Sequence, residues 1–277
     1  MTMFVSATSR VVPPPARCVP RQAWRNGSTL LGERTLAEEV PVAFSYDGAT
    51  HAVLMATPDD LEDFALVFTY TEGIISAPTE IAELAVVSVA DGIVLRMWLT
   101  GARSDAFAAR RRRFVGPAGC GMCGLESLAE ANRAIPVVSD DLQVTRQDIA
   151  EAVAALPARQ QLNMQTRAVH AAAFWRPDER LVLREDVGRH NALDKLAGAL
   201  LREGCPAGDG VIVLSSRISI ELVQKAAMMG AAIIVGVSAP TALAVRSAAS
   251  TGLTLVGIAR DDGFEVFTHP ERITRYW

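Results

Sequence analysis

The feature that most constrains the fold of this chain is an alternation of short apolar runs with helical segments in its second half. Three runs rich in β-branched residues, Val211 to Leu214, Ala232 to Val237 and Thr254 to Ile258, are predicted to be buried strands. Helical patterns over Ile220 to Met229 and Thr241 to Ala249 separate them. Because a β-α-β-α-β succession joins parallel strands through right-handed crossovers, this half is predicted to be an α/β layer domain.

The first half has a different pattern, with several strands and one helix. Two strands are predicted over Val40 to Tyr46 and Ala52 to Ala56, and a hairpin joins Leu84 to Val89 with Ile93 to Leu99. Between the strand pairs, Thr57-Pro58-Asp59-Asp60 combines a capping hydroxyl, a proline and two acids, which predicts a helix start. The helix should end at Gly73, and the whole region is predicted to be a smaller α+β domain.

The change of pattern near residue 148 divides the chain into three predicted parts. A length of 277 residues fits one large domain or two ordinary ones. Residues 1–20, rich in proline and small residues, are expected to be a flexible N-terminal arm. Residues 21–147 are expected to form the α+β domain, ending in a mobile Cys-x-x-Cys loop, and residues 148–277 the α/β domain.

The composition excludes several classes of protein. Half of the chain is apolar and 21% is charged, which excludes a mostly disordered chain. The net charge of −4 is too balanced to indicate a nucleic-acid partner or an anionic membrane. There is no apolar run of about 18 residues that would indicate a membrane helix, and the proline-broken N-terminus does not resemble a secretory signal. A cytoplasmic protein is expected, with neither a nucleic-acid nor a membrane partner.

Polar side chains follow each of the three predicted parallel strands. The segments are Ser215-Ser216-Arg217-Ile218-Ser219, Ser238-Ala239-Pro240-Thr241 and Ala259-Arg260-Asp261-Asp262-Gly263. The carboxyl ends of parallel strands meet at one edge of a sheet, where ligands bind. Two of these segments also open a helix, and the N–H groups of a helical first turn favour an anion. The sequence therefore predicts a phosphate-binding site at this edge.

A charged segment, Arg184 to Lys195, lies upstream, just before an apolar helical face. Taken alone, this segment is equally consistent with a solvated loop and helix start, since charge clusters are common. Arg217 and Arg260 are expected to converge at the same strand ends. In combination with them, Asp186, Arg189, His190 and Lys195 are expected to shape a nucleotide-phosphate pocket.

The pair Cys120 and Cys123 lies among glycines, a few residues after four arginines, Arg110 to Arg113. Structural zinc would need further ligands, such as Cys205 or His170, and a dithiol redox site would need its motif between a strand and a helix. A sulfur carrier needs a reactive thiolate, and neighbouring cations lower the thiol pKa from about 8.5. Inert thiols are the fourth alternative. The arginines are either a solvated surface or a docking patch for an acidic partner or for phosphates.

A zinc deaminase can be tested directly on the sequence. Its signature is His-x-Glu followed by Pro-Cys-x-x-Cys. Here, the one His-x-Glu string, His269-Pro270-Glu271, comes after the cysteine pair and not before it, and Pro117 is not adjacent to Cys120. Deaminase chemistry is therefore not expected, and no metal ligand set is predicted.

Several longer strings resemble one known family, the formate dehydrogenase accessory sulfurtransferases, FdhD. They cover nearly all of the chain after the N-terminal arm, and the first of them is long and specific. The strings are Glu185 to Lys195, Cys120-Gly121-Met122-Cys123-Gly124, Ser238-Ala239-Pro240-Thr241, Thr268 to Ile273, Met55-Ala56-Thr57-Pro58 and Thr71-Glu72-Gly73-Ile74-Ile75.

The resemblance implies a cytidine-deaminase-like, three-layer fold for the second half, without the deaminase zinc ligands. It also implies a sulfur carrier that takes sulfur from a cysteine desulfurase as a persulfide. The acceptor would be the bis(molybdopterin guanine dinucleotide) form of the molybdenum cofactor, before that cofactor enters formate dehydrogenase. Cys120 matches the expected persulfide carrier, and Cys123 would be an auxiliary thiol. A homodimer is also implied, and guanine nucleotides such as GDP are expected to occupy the same site.

The segment Ile258 to Gly263 matches the cofactor-binding stretch of the family. The full set expected to bind the cofactor is Ile258, Ala259, Arg260, Asp261, Asp262, Gly263, Ser215, Arg217, Ser219, His170, Asp186, Arg189, His190 and Lys195. The chain departs from the family where glycines are replaced by Arg167, Ala168 and Ser216, and these replacements restrict the backbone near the ligand. Two other functions stay open, a chaperone that holds the cofactor without handling sulfur and a dithiol oxidoreductase.

Overall fold

The computed structural model describes residues 11–111, 136–138, 142–177 and 181–274. The helices are α1 (Leu61–Thr71), α2 (Gly101–Arg111), α3 (Arg146–Ala154), α4 (Leu156–Arg159), α5 (Gln161–Thr166), α6 (Arg189–Glu203), α7 (Ile220–Met228) and α8 (Ala242–Thr251). The strands are β1 (Ala16–Arg25), β2 (Ser28–Ala37), β3 (Val40–Tyr46), β4 (Ala49–Ala56), β5 (Ile81–Val89), β6 (Gly92–Leu99), β7 (Val144–Thr145), β8 (His170–Trp175), β9 (Leu181–Asp186), β10 (Val211–Leu214), β11 (Ile233–Gly236), β12 (Thr254–Arg260), β13 (Gly263–Thr268) and β14 (Ile273–Thr274).

The largest sheet has six strands in the order β13-β12-β11-β10-β8-β9. The strands β10, β11 and β12 are parallel, and α7 and α8 connect them, so the predicted β-α-β-α-β unit is confirmed. Two antiparallel strands, β8 and β9, extend one edge of this unit, and β13 extends the other. The parallel strands β10 and β11 are fully buried, which explains their continuous apolar runs.

A four-stranded sheet in the order β4-β3-β6-β5 forms the first half, and its predicted strands and hairpin are confirmed. Gly92 opens β6 at a φ of +148°, and a Cβ there would lie 2.3 Å from the carbonyl oxygen of Pro41. Only glycine therefore fits at this turn. Helix α1 packs on this sheet through Phe64 and Phe68, which contact the ring of Phe44.

The predicted start of α1 is wrong in detail. The helix begins at Leu61 after a left-handed residue, Asp60, and has no side-chain cap. The hydroxyl of Thr57, predicted to be that cap, instead accepts a hydrogen bond from the amide of Val187 at 3.1 Å. Sequence spacing could not show this, because the partner lies 130 residues away.

Residues 16–20, expected in a loose arm, lie in β1, which forms an antiparallel hairpin with β2. The hairpin forms a sheet of its own, in which most side chains are exposed.

The two sheets meet along a contact between α1 and α6. Gly198 of α6 lies so close to α1 that a Cβ would be 1.9 Å from the carbonyl oxygen of Asp63. The Asp63 carboxylate is 1% exposed and lies between two arginines, with its oxygens 2.8 Å from Arg184 and 2.9 Å from Arg202. Close helix packing and a paired buried carboxylate therefore join the two halves of the fold.

None of the helices in the described ranges is long and apolar enough to span a membrane. Cys120 and Cys123 lie outside the described residues, as do Arg112 and Arg113, and nothing is stated about their structure. The backbone of Arg110 and Arg111 forms the end of α2.

Candidate functional site

The loops that follow β10, β11 and β12 form one connected edge of the large sheet. The amide of Thr241 donates to the carbonyl oxygen of Ile218 at 2.9 Å, and the amide of Ile258 donates to that of Ser238 at 3.3 Å. The loops also pack tightly, since a Cβ on Gly257 would lie 2.7 Å from Pro240. The strand ends therefore come together as the sequence predicts.

Two of these loops enter helices in different ways. Thr241 caps α8, since its hydroxyl accepts a hydrogen bond from the amide of Ala244 at 3.2 Å. Ser219 occupies the same position before α7, but its hydroxyl makes no capping bond. Ser219 is 7% exposed, and its hydroxyl oxygen is buried without a hydrogen-bond partner. A buried polar group in this state is costly, which makes Ser219 a candidate for contact with a ligand.

Three more unpartnered polar atoms lie in the first turns of α6 and α7. They are Nε of Arg189, Nε2 of His190 and Oε2 of Glu221. The Nε2 of His190 lies 3.9 Å from the Oε2 of Glu221, which is too far for a hydrogen bond. With Ser219, these atoms make up four of the seven buried side-chain atoms that lack a partner in the described part of the chain. The first turns of two helices thus enclose donors and acceptors that are unused.

The two histidines of this cluster are uncharged near neutral pH. Burial, together with the adjacent charges of Arg189 and Lys225 and against the opposing effect of Glu221, lowers the pKa of His190 to about 4. Burial also lowers the pKa of His170, with Arg189 acting in the same direction and Asp186 opposing it. A neutral imidazole both donates and accepts a hydrogen bond, so each ring can serve a polar ligand.

Asp186 and Lys195 lie in the protein interior, both fully buried and 2.7 Å apart. The carboxylate of Asp186 also accepts from the amides of Thr57 and Gly188 at 3.0 and 2.7 Å and from the Asn191 side chain at 3.0 Å. Lys195 donates in addition to the carbonyl oxygen of Thr57 at 2.9 Å. The structure therefore places these two predicted pocket residues behind the site, where they hold the start of α6 against the first half of the fold.

The remaining predicted residues lie along the same edge. The hydroxyl of Ser215 accepts from the amide of Ala171 at 2.8 Å and so continues the pairing of β10 with β8. Arg217 is exposed in the loop before α7. Arg260 pairs with Gly263 across an exposed turn formed by Asp261 and Asp262, while Ala259 is buried.

Ile258 has a left-handed backbone with φ of +53°, which is rare for a β-branched residue. Strain of this kind costs about 1–3 kcal/mol and is concentrated at functional sites. The strained residue therefore lies within the stretch that is predicted to bind the cofactor.

Glu221 and Lys225 were not predicted from the sequence. An acid in the first turn of a helix is usually a partner of the helix dipole, so Glu221 gave no separate signal. Lys225 pairs with the buried carboxylate of Asp194 at 2.6 Å. Burial raises the pKa of Asp194, and Lys225 opposes the increase. In the described ranges, no group of three or more metal-ligating side chains forms around His170 or Cys205.

The fold is that of an α/β protein with several sheets, and it has a candidate polar site where two helices begin at the carboxyl edge of parallel strands. Comparison with known proteins gives the family. The model of the FdhD/NarQ family matches residues 37–274, and the chain belongs to this family.

Similar proteins include the sulfur carrier protein FdhD of Agrobacterium fabrum, 51% identical over 93% of this chain and 96% of that protein. The sulfur carrier protein FdhD of Brucella abortus is 47% identical over 93% of this chain and 97% of its own length. A crystal structure from Desulfotalea psychrophila, provisionally assigned as a formate dehydrogenase accessory protein, matches with a TM-score of 0.72 and 25% identity. It covers 94% of this chain and 100% of its own.

Proposed function

We propose that this chain is a sulfur carrier that serves formate dehydrogenase. In this proposal, Cys120 accepts sulfur from a cysteine desulfurase as a persulfide and passes it to the bis(molybdopterin guanine dinucleotide) molybdenum cofactor. The observation that carries the proposal is the cluster of unpartnered buried polar atoms at the starts of α6 and α7. Relatives that match nearly the whole chain and are named sulfur carrier proteins support the sulfur chemistry.

The cofactor is the substrate here, and the site fits its guanine-nucleotide arms. A pyrophosphate presents anionic oxygens, which the hydroxyl of Ser219, Nε of Arg189 and the first-turn amides of α7 can bind. Neutral His190 and the carboxylate of Glu221 offer partners for the polar edge of a base. Arg217 and Arg260 are exposed on the same edge and add positive charge. GDP should therefore bind at this site.

In the collecting step, the Cys120 thiolate attacks the outer sulfur of the desulfurase persulfide. A new S–S bond forms at Cys120, the donor S–S bond breaks, and the donor cysteine leaves as a thiolate, so electrons and atoms balance. Cys123 is the auxiliary thiol, and Arg110 to Arg113 are the proposed source of the positive charge that favours the Cys120 thiolate.

Mass spectrometry after incubation with a cysteine desulfurase and cysteine tests this step. We expect the Cys120 peptide to gain about 32 Da, the mass of one sulfur atom. The Cys120→Ser variant should lose the adduct and fail to activate formate dehydrogenase in cells, while Cys205→Ser, at a half-buried thiol, is the matched control. If Cys120→Ser activates formate dehydrogenase fully, the assignment of the carrier is wrong. A chaperone that only holds the cofactor would give no adduct, and a dithiol oxidoreductase would give a Cys120–Cys123 disulfide instead.

We also propose a more specific fold for the second half and a boundary between the two domains. The strand order β9-β8-β10-β11-β12, with β8 antiparallel to β10, supports a cytidine-deaminase-like, three-layer domain. Separate apolar clusters, one built from the first half and one mostly from residues after 138, support a division near residue 148. We further propose that the protein is cytoplasmic and forms a homodimer.

A further inference from the structure

Thr57, the residue after β4 in the first half of the fold, is bonded to the segment that leads into α6 in the second half. Its hydroxyl accepts from the amide of Val187 at 3.1 Å, and its own amide donates to the carboxylate of Asp186 at 3.0 Å. Its carbonyl oxygen accepts from Lys195 at 2.9 Å. Thr57 is fully buried, so water does not compete for these bonds. A single residue of the first half thus holds three residues around the start of α6.

The start of α6 depends on these contacts because the helix has no side-chain cap of its own. The residue before the helix is Gly188, whose amide donates to the carboxylate of Asp186 at 2.7 Å. The side chain of Asn191 donates to the same carboxylate at 3.0 Å and to the carbonyl oxygen of Met55 in β4 at 2.9 Å. A Cβ on Gly188 would lie 2.9 Å from the side-chain nitrogen of Asn191, so the turn is tightly packed. The first half therefore fixes the backbone where α6 begins.

The same first turn of α6 carries two groups of the candidate ligand site. Arg189 and His190 are the first two residues of the helix, and Nε of the one and Nε2 of the other have no hydrogen-bond partner. Since these atoms make no bond that would fix them, the backbone at the helix start decides where they lie. Val187, which the hydroxyl of Thr57 holds, is only two residues before Arg189.

We propose that Thr57 is a positioning residue for the candidate ligand site, and that it sets the places of Arg189 and His190. Because Thr57 is fully buried behind the helix start, it acts through Val187 and Asp186 rather than by contact with a ligand. A displacement of about 1 Å can reduce the performance of a site by a factor of about 100, so one remote hydrogen bond is enough to matter. The inference rests on the proposed function where the ligand is a guanine nucleotide, whereas the effect on His190 itself needs no ligand.

A pair of buried threonines separates positioning from general stability. Thr57→Val keeps the shape of the side chain and removes the hydroxyl that holds Val187. Thr69→Val is the matched control, since Thr69 is also fully buried and its hydroxyl bonds within the first half, to the carbonyl oxygen of Ala65 at 2.6 Å and to the hydroxyl of Tyr46 at 3.0 Å. Each substitution leaves a polar group without its partner, so urea unfolding should show similar losses of stability.

Calorimetry with GDP on the folded full-length variants is the first readout. Thr57→Val should weaken GDP binding at least about tenfold, because the site residues lose their place. Thr57→Ser keeps the hydroxyl and should bind within about threefold of the wild type. Thr69→Val should also bind within about threefold, although it is destabilised.

The protonation of His190, followed by NMR without any ligand, is the second readout. Burial is the main cause that lowers the pKa of His190 to about 4. In Thr57→Val the loosened helix start should admit water, so the pKa of His190 should rise towards 6.5. Thr57→Ser and Thr69→Val should leave it unchanged. The charged neighbours of the ring are the same in every variant, so a change reports the burial of the ring.

Two results would overturn the positioning role. One is a Thr57→Val protein whose GDP affinity stays within about threefold of the wild type or whose His190 keeps its pKa. The other is a Thr69→Val protein with the same two changes as Thr57→Val, which would assign both to lost stability. A wild type that binds no GDP would refute the proposed nucleotide site instead, and the pKa of His190 would still decide the role of Thr57.

Discussion

The two cap positions before α7 and α8 allow a comparison in which the same substitution has opposite effects. Ser219→Ala removes a buried hydroxyl that has no hydrogen-bond partner, whereas Thr241→Ala removes one that caps its helix. Loss of a used cap costs about 1 kcal/mol of stability. Removing an unused buried hydroxyl relieves a desolvation cost of about 1–3 kcal/mol, so Ser219→Ala should leave the free energy of unfolding unchanged or raise it.

The same two variants should differ in ligand binding. A hydrogen bond to a charged oxygen contributes about 1.5–3 kcal/mol, so Ser219→Ala should weaken GDP binding about 10- to 100-fold. Thr241→Ala should bind GDP within about threefold of the wild type, since its hydroxyl is already used by the amide of Ala244. Urea unfolding measures the stability and calorimetry the affinity. A Ser219→Ala protein that loses 1 kcal/mol or more and still binds GDP normally would show that Ser219 has a structural role and would refute the assignment.

Two further predictions concern the interior and the pH dependence. Lys195→Met leaves the fully buried carboxylate of Asp186 without its cation, and urea unfolding should show that the free energy of unfolding falls by about 3–5 kcal/mol. A fall of less than about 1 kcal/mol would contradict the predicted role of this ion pair. His190 has a folded pKa of about 4 against 6.5 when unfolded, so its contribution to stability is complete above pH 6.5 and is lost as the pH falls towards 4. Because the side chain is 36% exposed, about 1 kcal/mol is expected after screening. The raised pKa of Asp60 acts in the opposite direction between pH 3.8 and 6, so the measurement is the difference between the wild type and His190→Gln, and an unchanged pH profile would exclude the effect.

The β-α-β-α-β unit of the second half follows from local pattern, which is why its strands and helices were predicted. Val211–Leu214 and Ile233–Gly236 are buried on both faces, and only continuous apolar runs satisfy that position. The convergence of the loops after them was predictable for the same reason, because parallel strands bring their carboxyl ends to one edge. The hairpin of β1 and β2 was missed because its largely polar sequence has no regular apolar alternation, and its few large apolar residues are exposed.

The roles of charged residues within a single motif were not predictable. Asp186, Arg189, His190 and Lys195 lie within ten residues of one another, yet two are sealed in the interior and two line the site. The difference depends on Thr57, which approaches from the other half of the chain and supplies both a donor and an acceptor to the buried pair. Spacing along a helix gives the face of a residue but not what packs against that face.

The sequence by itself therefore determined the α/β pattern, the edge where the site lies and the family resemblance, because each depends on local periodicity or on a contiguous motif. Only the tertiary structure decided which polar groups are used and which are free. Ser219 and Thr241 look alike in sequence as residues before a helix, but one hydroxyl is consumed by capping and the other is buried without a partner. That distinction arises from desolvation and from the distance between segments far apart in the chain, and it makes Ser219 the proposed ligand-binding position.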